Sequence, residues 1–290
     1  MSQVVLDSKV KSWIENYNTE KTREAALTSY KAILNYLYRT SKEELELVEQ
    51  MRNNDDTKYH ILSEMVNNVS QHVEPASVKQ YYNFWKSYLR FVHGIKIYNE
   101  DARHFVKPPK NIKRTREPLT REIIKLLCKS ASPVQKAEYL VLSSSGMRMS
   151  EFLNSPKENF DLDTGMVGVA GKLTKTKVQR KTFISAEAIN AILESGEEFW
   201  NTRKYHTEAS YFWKLREKIG LVERYDGSIV HKVTLHSFRS FVRTQAGKIN
   251  QDFAEQLIGH SGYLKQYVRL TDEEMLGYYK KLEPKIRIFQ

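Results

Sequence analysis

Across 290 residues the sequence holds a single cysteine, Cys128, which excludes an internal disulfide and leaves apolar burial to stabilise the chain. Cys128 lies in IIKLLCK, an apolar helical pattern, and reads as a packed small hydrophobe rather than a thiol nucleophile. No run approaches the roughly 18 uninterrupted apolar residues of a membrane span. The opening MSQVVLDSKVKSW lacks the apolar core of a secretory signal. These absences predict a soluble protein in a reducing intracellular compartment, with no membrane partner. There is no HExxH, no CxxC and no carboxylate cluster, so neither a metal nor another cofactor is expected. Internal repeats and low-complexity tracts are also missing.

What the chain has in excess is positive charge. Lys and Arg number 46 against 35 Asp and Glu, a net charge of +11. Such a balance attracts polyanions, of which nucleic acid is the commonest inside a cell, although charge alone does not separate DNA from RNA or an acidic protein.

The first hundred residues carry helical periods. Ala26, Tyr30, Ile33, Leu34 and Leu37 mark one apolar face, and Val78, Tyr82, Trp85, Leu89 and Val92 another, bracketed by Pro75 and Gly94. A weaker pattern covers Lys58 to Val69. The aromatic spacing predicts core packing rather than base stacking. A helical N-terminal domain is therefore expected over residues 1–103. Residues 104–119, HFVKPPKNIKRTREPL, read as a linker: the adjacent prolines disfavour helix, and Lys107, Lys110, Lys113, Arg114 and Arg116 face only Glu117. Those cations either lie along phosphates or form solvated surface. From Thr120, an N-cap followed by an early Glu, a second domain runs to residue 290. Within it Val167 and Val169 alternate, Gly171 interrupts, and Thr182 to Ile184 return to β-type residues, which predicts a strand-turn-strand element. Helical patterns resume at AEAINAILESG and are expected to persist to the end. The expected fold is mainly α with a small β-sheet.

Three segments carry groups suited to anion chemistry. In SSSGMRMSEFLNS, Arg148 stands at a glycine-flanked helix start opened by Ser150 and Glu151. In TLHSFRSFVRTQAG, helical spacing puts His236, Arg239 and Arg243 on one face and Phe238, Phe241 and Val242 on the other, predicting exposed imidazole and guanidinium together. In LIGHSGYLKQYVRLTDEEML, His260 follows a glycine and precedes Tyr263 and Tyr267.

The order GMRMSEFL, a lysine-rich hairpin, LHSFR, then LIGH with a following tyrosine resembles the tyrosine recombinase (phage integrase) family, and the resemblance spans the chain. The tail DEEMLGYYKKLEP is similar to archaeal mobile-element members. By this resemblance the first domain is a core-binding domain and the second an α+β catalytic domain. The activity implied is site-specific cleavage and rejoining of double-stranded DNA, in integration, transposition or a related exchange, through a 3′-phosphotyrosyl ester and without metal or ATP. Partners would be two duplexes bound by a homotetramer, in the host cytoplasm or nucleoid, with the tail a helix for docking onto a neighbouring protomer, the choice between docking in trans and in cis left open.

The conserved roles would fall on Arg148, a hairpin lysine, His236, Arg239, His260 and a tyrosine. Two guanidinium forks suit nonbridging phosphate oxygens, histidines can donate hydrogen bonds or accept the tyrosine proton, and a lysine can protonate the departing 5′ oxygen. Of Lys172, Lys175 and Lys177, the Lys175-Thr176 pair best matches the family's active lysine, with Lys172 second; Lys172, Lys177 and Arg243 are further candidate DNA contacts. Tyr263 stands too close to His260 for its hydroxyl to swing round, and Tyr278 and Tyr279 sit in a helical packing pattern. Tyr267 precedes a capping box at Thr271 and Glu274 and is the predicted nucleophile. The seven-residue interval from His260 is shorter than is common in the family. A type IB topoisomerase or telomere resolvase would share this chemistry, and a non-catalytic DNA-binding protein would share the basic surfaces.

Overall fold

The computed structural model describes residues 6–53, 56–110, 119–174, 177–226, 228–259 and 270–289. The chain divides into two compact units, Met1–Arg114 and Thr115–Gln290.

The first unit is helical: α1 (Ser8–Glu15), α2 (Glu20–Thr40), α3 (Glu44–Asn53), α4 (Thr57–Ser70), α5 (Pro75–His93) and α6 (Asn99–Phe105). The predicted apolar faces are its core. Ala26, Tyr30, Ile33 and Leu37 of α2 meet Val78, Tyr82, Trp85 and Leu89 of α5, all buried. Trp85 is fully buried because its indole N–H donates to the Ser29 carbonyl at 2.8 Å, and Trp13 is buried with its own N–H on the Ser87 hydroxyl at 3.1 Å. Pro75 opens α5 and Gly94, at φ +71°, closes it. The linker expected from residue 104 begins later. Helix α6 runs to Phe105, and Val106 is buried in this unit's core; Lys107 and Lys110 are exposed beyond it. Lys113, Arg114 and Arg116 lie outside the described residues.

The second unit contains α7 (Arg121–Ser130), α8 (Pro133–Ser145), α9 (Met149–Leu153), strands β1 (Met166–Val169) and β2 (Arg180–Phe183), α10 (Ala186–Ser195), α11 (Tyr205–Lys218), α12 (Leu235–Gly247), α13 (Gln251–Ile258) and α14 (Asp272–Ile286). The strands pair antiparallel with Met166 opposite Phe183 and Val169 opposite Arg180, so Val167 and Val169 face the core. Helices are not continuous from α10 onward as the pattern suggested. Gly220, at φ +76°, ends the turn after α11, and a short hairpin with Arg224 paired to His231 follows, in a stretch rich in β-branched residues.

Helix α8 is the hub, buried from Ala137 to Ser145 and packed against α7, α10 and α12. A helix end leaves unpaired carbonyls that need donors when buried. Here three successive ones are taken by three elements: Ser144 by the Tyr279 hydroxyl of α14 (3.3 Å), Ser145 by the Thr182 hydroxyl of β2 (2.7 Å) and Gly146 by the Arg239 guanidinium of α12 (2.8 Å). Gly146 itself stands at φ +64°, and a methyl there would sit 3.0 Å from Ile258 and 3.2 Å from Val242.

Of the two dockings left open for the tail, the structure shows the one in cis, on its own unit. Tyr279, Leu282, Ile286 and Ile288 are buried in the second core, Arg121 donates to the Pro284 and Lys285 carbonyls, and the Glu187 carboxylate accepts the Ile288 and Phe289 amides. The physical reason is the apolar period of α14, which matches the face left open by α8 and β2. Replacing the fully buried Leu282 with alanine is expected to cost about 2–5 kcal/mol. Because the contact is intramolecular, thermal or urea denaturation should show a midpoint loss that does not change with protein concentration.

Candidate nucleic-acid site

Arg148 is the N-cap of α9, placed by the left-handed turn at Gly146 that ends α8. Three residues on, Glu151 points back. Its carboxylate accepts the Arg148 backbone amide at 2.9 Å and the Arg148 guanidinium at 2.5 Å. The second oxygen also accepts from Arg180 of β2 at 2.7 Å, and Arg239 of α12 stands 3.9 Å from it. One fully buried carboxylate thus gathers three guanidiniums from three elements. Glu151 was read from the sequence only as part of a helix start; the signal available was the three-residue spacing from Arg148, which permits a side-chain bond to the N-cap amide.

The exposures are graded. The Arg148 side chain is 26% exposed and those of Arg180 and Arg239 are 5% and 3%. The predicted exposed face of α12 is therefore split: His236 and Arg243 are exposed, whereas Arg239 is buried. Arg239 turns inward because two carbonyls at helix ends, Gly146 and Ile258, accept its N–H groups. Burial, together with the neighbouring Arg148 and Arg180 charges, lowers its pKa to about 9. Burial alone would raise the Glu151 carboxyl, but the Arg180 hydrogen bond and charge, joined by Arg148, outweigh it and hold the group below its ordinary value. Three guanidiniums against one carboxylate leave the cluster positively charged, the condition for holding an anion.

The other predicted residues fall as follows. Lys172 and Lys177 are exposed in the turn between β1 and β2, where the Thr174 hydroxyl donates to the Gly171 and Val178 carbonyls. Lys175 lies outside the described residues, as do His260, Tyr263 and Tyr267. Arg243 is paired, donating through two nitrogens to Glu255 at 3.0 and 2.6 Å. Thr271 and Glu274 form the expected capping box at the start of α14. Tyr279 is a core residue and Tyr278 stacks on Phe253, as their helical pattern implied. Cys128 is buried, which raises its thiol pKa to about 12. Among the described residues no group of acidic, His or Cys side chains could hold a metal ion, and no helix is long and apolar enough to cross a membrane.

No family model matches the chain. It is 28% identical to "Tyrosine recombinase XerA" of Thermococcus kodakarensis over 221 residues, covering 71% of this chain and 73% of that protein. The chain is similar in sequence to tyrosine recombinases. Its fold agrees with the crystal structure of a lambda integrase(75-356) dimer bound to a COC′ core site, at a TM-score of 0.64 and 17% identity, covering 94% of this chain and 95% of that one. It also agrees with a lambda integrase tetramer bound to a Holliday junction, at a TM-score of 0.63 and 16% identity, over 91% and 79% of the two chains. Arg148 and Arg239 are far apart in sequence and joined in space through Glu151.

Glu151 gives the site a measurable acid dependence. A depressed carboxyl stabilises the fold above its ordinary value of about 4.5 and loses that contribution as pH falls through its lower folded value. Glu151→Ala is expected to cost about 3–5 kcal/mol near neutral pH by leaving buried guanidiniums unpaired. The gap between variant and wild type should narrow below about pH 4.5 in denaturation curves followed by circular dichroism.

Proposed function

We propose that the protein is a site-specific DNA recombinase that cuts and rejoins duplex DNA through a 3′-phosphotyrosyl ester. The observation that carries this reading is the positive cluster of Arg148, Arg180 and Arg239 around Glu151 in a fold shared over most of its length with integrases. A phosphodiester exchange of this kind needs a nucleophile, charge neutralisation at the nonbridging oxygens and a proton for the leaving group.

The roles follow from chemistry and burial. Arg148, the most exposed of the three guanidiniums, meets the scissile phosphate, and Arg239 adds charge from beneath it. Tyr267 attacks phosphorus, so that a tyrosyl O–P bond forms as the P–O5′ bond breaks. The phenolic proton passes to a histidine, His236 or His260, and Lys175 protonates the departing 5′ oxygen. The ester conserves the bond energy, and a 5′ hydroxyl from a second strand reverses the step. Lys107, Lys110, Lys113, Arg114, Arg116, Lys172 and Lys177 contribute phosphate contacts along the duplex. The working assembly is a tetramer on two duplexes, a reading supported by likeness to the lambda integrase tetramer bound to a Holliday junction.

The test uses a pool of nicked duplexes with randomised cores, in which the nick lets the short fragment 3′ to the cut diffuse away with its freed 5′ hydroxyl and so traps any covalent intermediate. Denaturant-resistant adducts are captured, sequenced and resynthesised. The wild type should form a 3′ adduct; Tyr267→Phe should form none while binding the same duplex with little change. Arg148→Ala should slow adduct formation about 10²–10³-fold, the usual effect of removing one charge-stabilising donor. A covalently attached Tyr267→Phe protein would transfer the nucleophile to Tyr263 or Tyr278, and binding without any adduct would leave a non-catalytic DNA-binding protein.

Binding should also weaken steeply with salt, because phosphate neutralisation releases counterions. A logarithmic plot of affinity against salt should lose about one unit of slope for each lysine removed from the contact set.

A further inference from the structure

Arg180 is the third guanidinium of the cluster, buried like that of Arg239, and the phosphate chemistry above gives it no role of its own. It opens β2 opposite Val169, so its backbone fixes the strand that leaves the lysine-bearing turn. Its side chain runs inward. One terminal nitrogen donates to Glu151 at 2.7 Å, and Nε donates to the Leu257 carbonyl, in the last turn of α13, at 3.2 Å. The other terminal nitrogen is buried and makes no hydrogen bond among the described residues. The shaft lies against Gly259, where a methyl group would stand 2.7 Å from Arg180 Cδ and 3.2 Å from that nitrogen. Gly259 is at φ +68° and immediately precedes His260.

Charge balance does not account for it. Glu151 already has the Arg148 guanidinium at 2.5 Å and Arg239 nearby, and Arg180 adds a further positive charge that works against Arg239. Burying an extra guanidinium carries a desolvation cost that an already neutralised carboxylate does not require. What Arg180 does supply is geometry: a rigid fork whose donors diverge toward two acceptors on different elements. It ties the strand after Lys175 to the carboxylate that holds Arg148, and both to the helix end that leads into Gly259 and His260.

We propose that Arg180 is a positioning residue, which sets strand β2 and the end of α13 at fixed places relative to Arg148. This rests on the recombinase reading above. Arg180 does not touch the phosphate; without it the reacting groups remain present but their mutual placement loosens, and small misplacements of this kind lower rates by factors of about 10².

The experiment measures single-turnover adduct formation on the nicked duplex captured by the wild type, alongside affinity for that duplex and melting temperature. R180K retains the charge, but a lysine ammonium lacks the diverging fork that reaches Glu151 and Leu257 together. It should fold and bind DNA as the wild type does, yet cleave about tenfold or more slowly. The second arm compares E151Q with E151Q/R180M, in which the carboxylate charge is absent from both proteins. A role limited to charge pairing predicts equal cleavage rates; the positioning role predicts a slower double variant of similar melting temperature, with the loss in rate rather than affinity. R180K cleaving at the wild-type rate, or the two Glu151 variants cleaving equally, overturns the proposal while the wild-type adduct still stands. Absence of a wild-type adduct overturns the recombinase reading and this role with it.

Discussion

The carboxylate of Glu151 is the interaction on which the second unit depends. It is fully buried, and buried charge is tolerated only when its partners are close and well directed. Those partners come from α9, β2 and α12, so satisfying one side chain fixes three elements relative to each other. The cluster stays positively charged after pairing, the condition for holding an anion. Stability and proposed chemistry therefore share the same groups, with the site built into the core rather than laid on a surface.

The end of α8 works in the same way. Its last carbonyls are taken by Tyr279, Thr182 and Arg239, each from a different element. Helix ends at α8 and α13 both present carbonyl oxygens to Arg239, and a guanidinium is favoured at the negative end of a helix dipole. Leaving such carbonyls unpaired inside the core would cost more than any one of these bonds returns in water, which is why the pattern is closed. The same closure holds the C-terminal tail against its own unit, where the aromatic ring of Tyr279 also packs on Phe183.

Local features were legible from the chain alone. The periods of α2 and α5 identified core residues, Thr120 and Thr271 marked helix starts, and the valines of β1 with the return at Thr182 marked the hairpin. Each depends on neighbours a few residues away, and short-range sterics and hydrogen bonds are encoded at that range. The boundary near residue 104 was harder to read, because the burial of Val106 depends on helices distant in sequence. The short hairpin around Arg224 and His231 escaped for a related reason: its pairing is only one bridge deep.

The sequence by itself determined the helical class, the positive charge, the order of the motifs and the residue types able to handle a phosphodiester. Only the tertiary structure decided that Arg239 points inward, that Arg243 is occupied by Glu255, that Glu151 and Arg180 belong with the motif arginines, and that the tail lies on its own unit. The physical reason is that a helical wheel fixes which residues share a face but not what that face meets. Arg239 and Arg243 stand one turn apart on α12; the carbonyls of Gly146 and Ile258 draw one inward, and the carboxylate of Glu255 holds the other at the surface.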